Sequence, residues 1–226
     1  MTSSGRTEWM FRRTAGEVAA NYVRNLIVDQ KLAPGERIHQ DEIATELGMS
    51  RIPVREAMIV LENEGWVTIE MHRGAFVSSH EASSVADHYE LYGLILGFAA
   101  KLAIRRRLSN LASELNSIRI EFDSVSDVEE KSHRAILFNR MIVDSSDSTR
   151  LRTILRSMRG VPLGDFYELV PNVVGVQSEE MEKIVSAVAT SDPPAAAAAY
   201  RRLMSHAGAE VLAVLRERRI IEEGPP

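Results

Sequence analysis

From Leu32 to Ser78 the apolar positions follow first one period and then another. Ile43, Ala44 and Leu47 recur at helical spacing, and Gly48 stops the run, as a glycine just past a helix end does. Ser50 stands where a helix N-cap is favoured and Pro53 falls in the first turn, where its missing N–H costs little. Val54, Ala57, Met58 and Leu61 then make one apolar face, and the helix is predicted to end near Gly65. Trp66–Glu70 reads as a strand, Met71-His72-Arg73-Gly74 as a turn, and Ala75–Ser78 as the returning strand. Upstream, Thr14–Asp29 reads as a helix with Val18, Tyr22, Leu26 and Ile27 on its apolar side, followed by a loop at Ala33-Pro34-Gly35. The pattern predicts three helices and a β-hairpin within residues 14–79.

Beyond a short polar stretch at 80–84, read as a hinge, every periodic segment is helical. Val85–Arg107 reads as one long helix and Asn110–Phe122 as a second, with Leu111, Leu115, Ile118 and Phe122 on one side. Asp127–Ser145 follows with Ala135, Phe138, Met141 and Ile142 inward, then Thr149–Arg159. Residues 161–175 are broken by Pro162, Gly164, Pro171 and Gly175, with room for one short helix around Asp165–Leu169. Ser178–Ala189 and Pro194–Glu217 close the set. The expected organisation is a flexible 1–13, a domain at 14–79, the hinge, an all-helical domain at 85–220 and a loose tail at 221–226. The fold class is mainly α, with a small β-wing.

Composition narrows the possible chemistry. The 226 residues suffice for two small domains. There is no cysteine, hence no disulfide, thiolate metal site or cysteine nucleophile. Met1–Arg13 lacks the apolar core of a secretion signal, and the most apolar run, Leu91–Ile104, is too short to span a bilayer and contains Lys101. These features fit a cytoplasmic protein. No carboxylate pair, Ser/His/Asp set or phosphate loop supports an enzyme. No cofactor is expected.

The first domain has the plan of a winged helix-turn-helix, a module that lies on duplex DNA. Arg51 and Arg55 are four residues apart and share one face at the start of the second helix of the pair, where a recognition helix meets base edges in the major groove. The net charge of −5 argues against broad basic binding. Residues 1–80 alone carry nine arginines and lysines against eleven acids. What counts for phosphate contact is local placement, and Arg51, Arg55, His72 and Arg73 are expected to cluster at the groove.

Ile43-Ala44-Thr45-Glu46-Leu47-Gly48 and Ser50-Arg51-Ile52-Pro53-Val54-Arg55-Glu56-Ala57, after Pro34-Gly35-Glu36 and before Leu61 to Gly65, resemble the DNA-binding signature of the GntR family of bacterial transcription regulators in order and spacing. The resemblance implies DNA contacts from Ser50, Arg51, Ile52, Arg55, His72, Arg73 and Gly74. Ile52 stands where a polar threonine is common in the family; its side chain suits a thymine methyl. It also implies a homodimer on a pseudo-palindromic operator.

Two further stretches, Phe138–Leu151 and Ile184–Ala189 with Asp192 and the alanine run after it, resemble the helical effector domain of the FadR branch, usually called FCD. Many such domains hold a divalent metal through one aspartate and three histidines. Here those positions fall on Ala135, Asn139, Met181 and Leu203, and an arginine common on the first effector helix falls on Tyr92. Alanine, methionine and leucine offer no suitable donor for a hard or borderline ion, so no metal is expected. The implied site is instead an apolar cavity lined by Tyr92, Leu96, Ala135, Asn139, Met181 and Leu203, with His206 one turn further on. These residues are alternatively plain core. The function implied is a ligand-responsive repressor released by an apolar or amphipathic metabolite. The alternatives are a metal-dependent carboxylate sensor of the same family and a DNA-binding protein with an inert dimerisation domain.

Overall fold

The computed structural model describes residues 14–78, 80–158, 170, 172–218 and 220–222. The chain divides into two compact units between Ser79 and His80.

The first unit opens with α1 (Ala15–Val28). Thr14 and Glu17 form a reciprocal capping box, with each side chain bonding the other's backbone N–H. Ala19, Ala20, Val23 and Ile27 form the buried face. Of the face the sequence pattern predicts, Ile27 is buried as expected, but Val18 is 38% exposed and Tyr22 and Leu26 are half-buried, so the buried face lies about one residue away. The reason is steric. Small alanines let α1 lie close against α3 (Arg51–Asn63), with Gly16 over Glu56 and the Pro53 carbonyl. At the other end Arg24, itself buried, donates to both oxygens of the Glu64 carboxylate, at 2.8 and 2.7 Å.

Between them lies α2 (Gln40–Glu46), and Gly48 follows it at φ +61°, a value glycine adopts without strain. Ser50 is the N-cap of α3 in extended backbone, although its side chain makes no capping hydrogen bond. Strands β2 (Val67–Glu70) and β3 (Gly74–Val77) form the predicted hairpin, with Val67 opposite Val77 and Glu70 opposite Gly74. A third strand, β1 (Arg37–Ile38), pairs antiparallel with β3, giving the order β1-β3-β2. Ile38, Val54, Met58, Leu61, Trp66, Ala75 and Val77 supply the core beneath this sheet.

The second unit contains α4 (Ala82–Arg105), α5 (Leu111–Ser124), α6 (Val128–Ser145), α7 (Thr149–Ser157), α8 (Val173–Ala189) and α9 (Pro193–Glu217). Residues 80–84, expected to be a hinge, instead belong to a strand and a helix. His80–Glu81 is a strand, β4, pairing in parallel with β5 (Ile221–Glu222), and Ala82 already begins α4. The start of the tail also departs from the expectation of a loose segment: β5 lies inside it, and Ile220 and Ile221 are buried. Two polar-looking ends order each other through backbone pairing, which side-chain pattern does not report. The short helix expected at Asp165–Leu169 and the flexible 1–13 lie outside the described residues.

The central contact of the unit is α4 against α9, and glycine permits it. A β-carbon on Gly97 would stand 3.0 Å from the Ala197 Cα, and one on Gly208 would stand 2.8 Å from the Tyr89 Cβ. Both helices therefore approach nearly to backbone contact. α8 packs on α9 and α5, and α6 on α5 and α4. Asp127, Ser148 and Asp192 each cap their helices by accepting a backbone N–H. Arg106, one of three consecutive arginines at the C-terminal end of α4, donates to the Ser146 carbonyl at the end of α6 and pairs with Asp147. No helix among the described residues is long and apolar enough to cross a membrane.

Candidate nucleic-acid interface and effector positions

The proposed DNA face begins where α3 does. Ser50, Arg51, Ile52 and Arg55 are all exposed, and Ile52 is 68% exposed although apolar. The helix turns Val54, Ala57, Met58 and Leu61 inward, so the two arginines and Ile52 are left on the outside by the same periodicity. Arg51 Nε lies 2.5 Å from Asp41 Oδ1 on α2. At the wing, Arg73 is paired with Glu70 across the turn and its guanidinium sits 5.4 Å from the Phe76 ring centroid. His72 holds φ +64° and Gly74 φ +110°, which brings the chain round in three residues. Thus Arg51 and Arg73 each already have an acidic partner.

Pattern reading missed those two partners. Asp41 and Glu70 were visible only as acids lowering the local charge. Met71, in the expected turn, stands at the tip of the wing and is 83% exposed. Tyr22 has its hydroxyl pushed up by its hydrogen bond to Glu46, by burial and by that carboxylate's charge, which joins α1 to α2. Glu64 is raised by burial, with Arg24 pulling it partly back.

In the helical unit the seven effector positions fall into two groups. Leu96, Ala135, Met181 and Leu203 are buried, while Tyr92, Asn139 and His206 are half-buried. A residue outside the predicted set links α9 to α6: Tyr200, fully buried, donates from its hydroxyl to the Asn139 side-chain carbonyl at 3.1 Å. Burial pushes the Tyr200 hydroxyl well above the ordinary phenol range, and nearby Tyr92 adds to this. Tyr92 in turn stacks on His88, whose imidazole is lowered by burial. The Nε2 of His206 is buried with no hydrogen-bond partner among the described residues. The sequence signal for Tyr200 was slight: one aromatic after five alanines, three residues before Leu203.

A second missed residue is Glu180, beside Met181 and only 4% exposed. Both its oxygens are engaged by Arg202, the shortest contact being 2.9 Å, and Lys183 donates at 2.6 Å. Burial raises its carboxyl, but the two cations outweigh that and hold it below the usual range. This network fastens α8 to α9. A surface groove of about 340 Å³ runs beside it, lined by Lys183, Ser186, Thr190, Asp192 and Arg202, and includes none of the seven positions.

These residues do not fit the metal common in such effector domains. Ala135, Met181 and Leu203 bring no suitable donor, and the Asn139 oxygen is engaged by Tyr200. Among the described residues no three His, Asp or Glu side chains are grouped to hold an ion.

Comparison with known proteins agrees in both halves. The family described as "Bacterial regulatory proteins, gntR family" matches residues 15–77, and the FCD domain matches residues 87–206. An uncharacterized HTH-type transcriptional regulator of Mycobacterium tuberculosis is 26% identical over 200 residues, 88% of this chain and 82% of its own length. The gluconate operon transcriptional repressor of Bacillus subtilis is 27% identical over 158 residues, 68% of this chain and 64% of its own. Among solved structures, McbR/YncC of E. coli superposes with a TM-score of 0.61 at 19% identity, over 92% of this chain and 99% of that one. With a winged helix followed by a helical bundle, each matched in order, the chain belongs to the GntR family of DNA-binding bacterial transcription regulators, in the FadR branch that carries an FCD effector domain.

Proposed function

We propose that the protein is a cytoplasmic, homodimeric repressor that leaves its operator when an apolar or amphipathic metabolite occupies the helical unit. Arg51 and Arg55 read base edges in the major groove, Ser50 and Ile52 flank them, and His72, Arg73 and Gly74 bring the wing to the backbone or minor groove. One recognition helix covers only a few base pairs, so two copies on a pseudo-palindrome supply useful specificity. The repressing sense is favoured by the relative named as a gluconate operon repressor.

The observation that carries the ligand class is that Leu96, Ala135, Met181 and Leu203 are all buried and that the Asn139 oxygen is taken by the buried Tyr200 hydroxyl. A small carboxylate there would be buried without a metal or an arginine to hold it, at a cost of several kcal/mol. An acyl chain or aromatic body meets no such penalty, and Asn139, Tyr92 or the His206 ring nitrogen suits its one polar end. Occupancy shifts the dimer between DNA-competent and incompetent arrangements. The test is operator binding by fluorescence anisotropy, with thermal shift, against fatty acids and acyl-CoA in one arm and hydroxy- and dicarboxylates in the other. Release by the first arm is expected. Release only by the short acids, or only after zinc is added, overturns the ligand class and favours a metal-dependent carboxylate sensor. No release by any compound favours an inert helical domain.

A further inference from the structure

The arginines described in the first unit divide by partner. Arg24 is buried against Glu64, Arg51 is joined to Asp41, and Arg73 to Glu70. Arg37 and Arg55 are exposed and have no carboxylate partner among the described residues. Arg55 belongs to the recognition face already proposed. Arg37 lies outside that motif.

Arg37 stands on β1, the short edge strand of the wing sheet. The register sets it opposite Phe76 and diagonal to Gly74 on β3. Its neighbour Ile38 is buried, so Arg37 points outward. The guanidinium lies across Gly74: a β-carbon there would stand 3.3 Å from the Arg37 Nε and 3.5 Å from its Nη2. Glu70, opposite Gly74 on the other strand, gives its carboxylate to Arg73. Arg37 is therefore laid along the wing with its donors uncommitted, and the bare Gly74 leaves it room.

Its place in the chain suits those donors to DNA. β1 leads through His39 into α2, whose Asp41 holds Arg51 at the start of α3. Arg37 thus reaches the turn of the wing from the strand that leads to the helix pair. With α3 in the major groove and the wing beside it, the phosphates of one strand border both. A planar guanidinium matches a phosphate in two parallel hydrogen bonds.

We propose that Arg37 binds a backbone phosphate between the recognition helix and the wing, fixing the register of both on the duplex without reading a base. The inference rests on the proposed docking of α3 and the wing, and adds to it a contact that the family motif does not contain.

The experiment is fluorescence anisotropy with the full chain on two duplexes of equal length, over a series of salt concentrations. One duplex is selected by the full chain from a random pool and the other is unselected; thermal melts verify the fold. Arg37→Gln should weaken binding to both by the same factor, about 5- to 10-fold at low salt, and lower the slope of log affinity against log salt by about one. Arg37→Lys keeps the charge and should keep the slope. A merely structural role would move the melting temperature and leave the slope alone. Arg55→Ala should act mainly on the selected duplex, and so tests the docking itself. Affinity and slope unchanged in Arg37→Gln, with Arg55→Ala weakened, overturn the phosphate contact and leave the docking standing. A loss by Arg37→Gln confined to the selected duplex makes it a base reader and also overturns the proposal. Arg55→Ala without effect on either duplex overturns the docking on which the proposal rests.

Discussion

Arg51 at the start of α3 is joined to Asp41 on α2, Nε to Oδ1 at 2.5 Å, with both side chains largely exposed. The first arginine of the proposed DNA face is thus paired within the protein before any DNA is present. An exposed pair of this kind contributes at most about 1 kcal/mol. A bidentate arginine contact to guanine is worth more, about 1–3 kcal/mol. DNA therefore wins the competition, and Asp41 lowers the net gain. Arg51→Ala and Arg55→Ala should each weaken operator binding by about 1–3 kcal/mol with folding unchanged. Asp41→Asn should strengthen binding severalfold at low salt, with the gain shrinking as salt rises. Gel-shift titrations at two ionic strengths check all three. Weaker binding by Asp41→Asn would mean that Asp41 orients Arg51 rather than competing for it.

The Arg24–Glu64 pair ties α1 to the end of α3 where both side chains are about nine-tenths buried. Removing one partner leaves a buried charge. Glu64→Leu should destabilise the winged-helix unit by about 3–5 kcal/mol, while Arg24→Met with Glu64→Leu should recover most of the loss. The pH dependence has a definite sign. Burial raises the Glu64 carboxyl above its unfolded value, so the folded unit holds that proton more tightly than the unfolded chain. The stability linked to this proton is fully present below the ordinary glutamate range, near pH 4, and is lost as pH rises through the raised value. Urea unfolding of wild type and Glu64→Gln from pH 4 to 8 should show the wild-type advantage declining upward. A decline in the opposite direction would show that Arg24 outweighs burial.

Much of the first unit was legible because its signals are local. Gly48, Ser50, Pro53 and Gly65 fix helix ends within a few residues of themselves, and the motif around Arg51 and Arg55 has fixed spacing. What was not legible depended on partners distant in sequence. β1 is two residues long and is a strand only because β3 lies beside it. The α1 face was misplaced because alanine gives little pattern signal while permitting close packing. β4 and β5 join residues about 140 positions apart. Likewise the positions of Ala135, Met181 and Leu203 came from motif alignment, but nothing near Asn139 announced Tyr200, 61 residues later.

That long-range bond has its own test. Tyr200→Phe removes a fully buried hydroxyl and takes from the Asn139 oxygen the donor it uses, so a loss of about 1–3 kcal/mol is expected. Tyr200→Phe with Asn139→Leu should cost less than the sum of the single changes, because no amide is then left unpaired. Thermal melts of the four proteins give the coupling directly. The same preparations should carry no stoichiometric zinc, nickel or manganese after dialysis, given the donors at these positions. Tight metal by elemental analysis, lost in Asn139→Leu, would reverse that reading.

Gly208 faces Tyr89 across the α4–α9 contact, and a β-carbon there would sit 2.8 Å from the tyrosine Cβ and 3.0 Å from its Cγ. Glycine at this point serves close approach rather than backbone freedom, since α9 is helical through it. Alanine is the better helix former by about 1 kcal/mol, so propensity alone predicts that Gly208→Ala stabilises the protein. The contact predicts the reverse, because neither Cβ can move without shifting its helix. Overpacking of this kind costs about 1–3 kcal/mol and should outweigh the propensity gain. Moving α4 off α9 would also disturb Gly93 and Gly97, which stand equally close to Met204 and Ala197. Gly208→Ala should therefore lower the melting temperature, and Tyr89→Gly in the same chain should relieve part of the clash. A melting temperature that rises in Gly208→Ala would show that the two helices have slack at this crossing and that the glycine is not required for it.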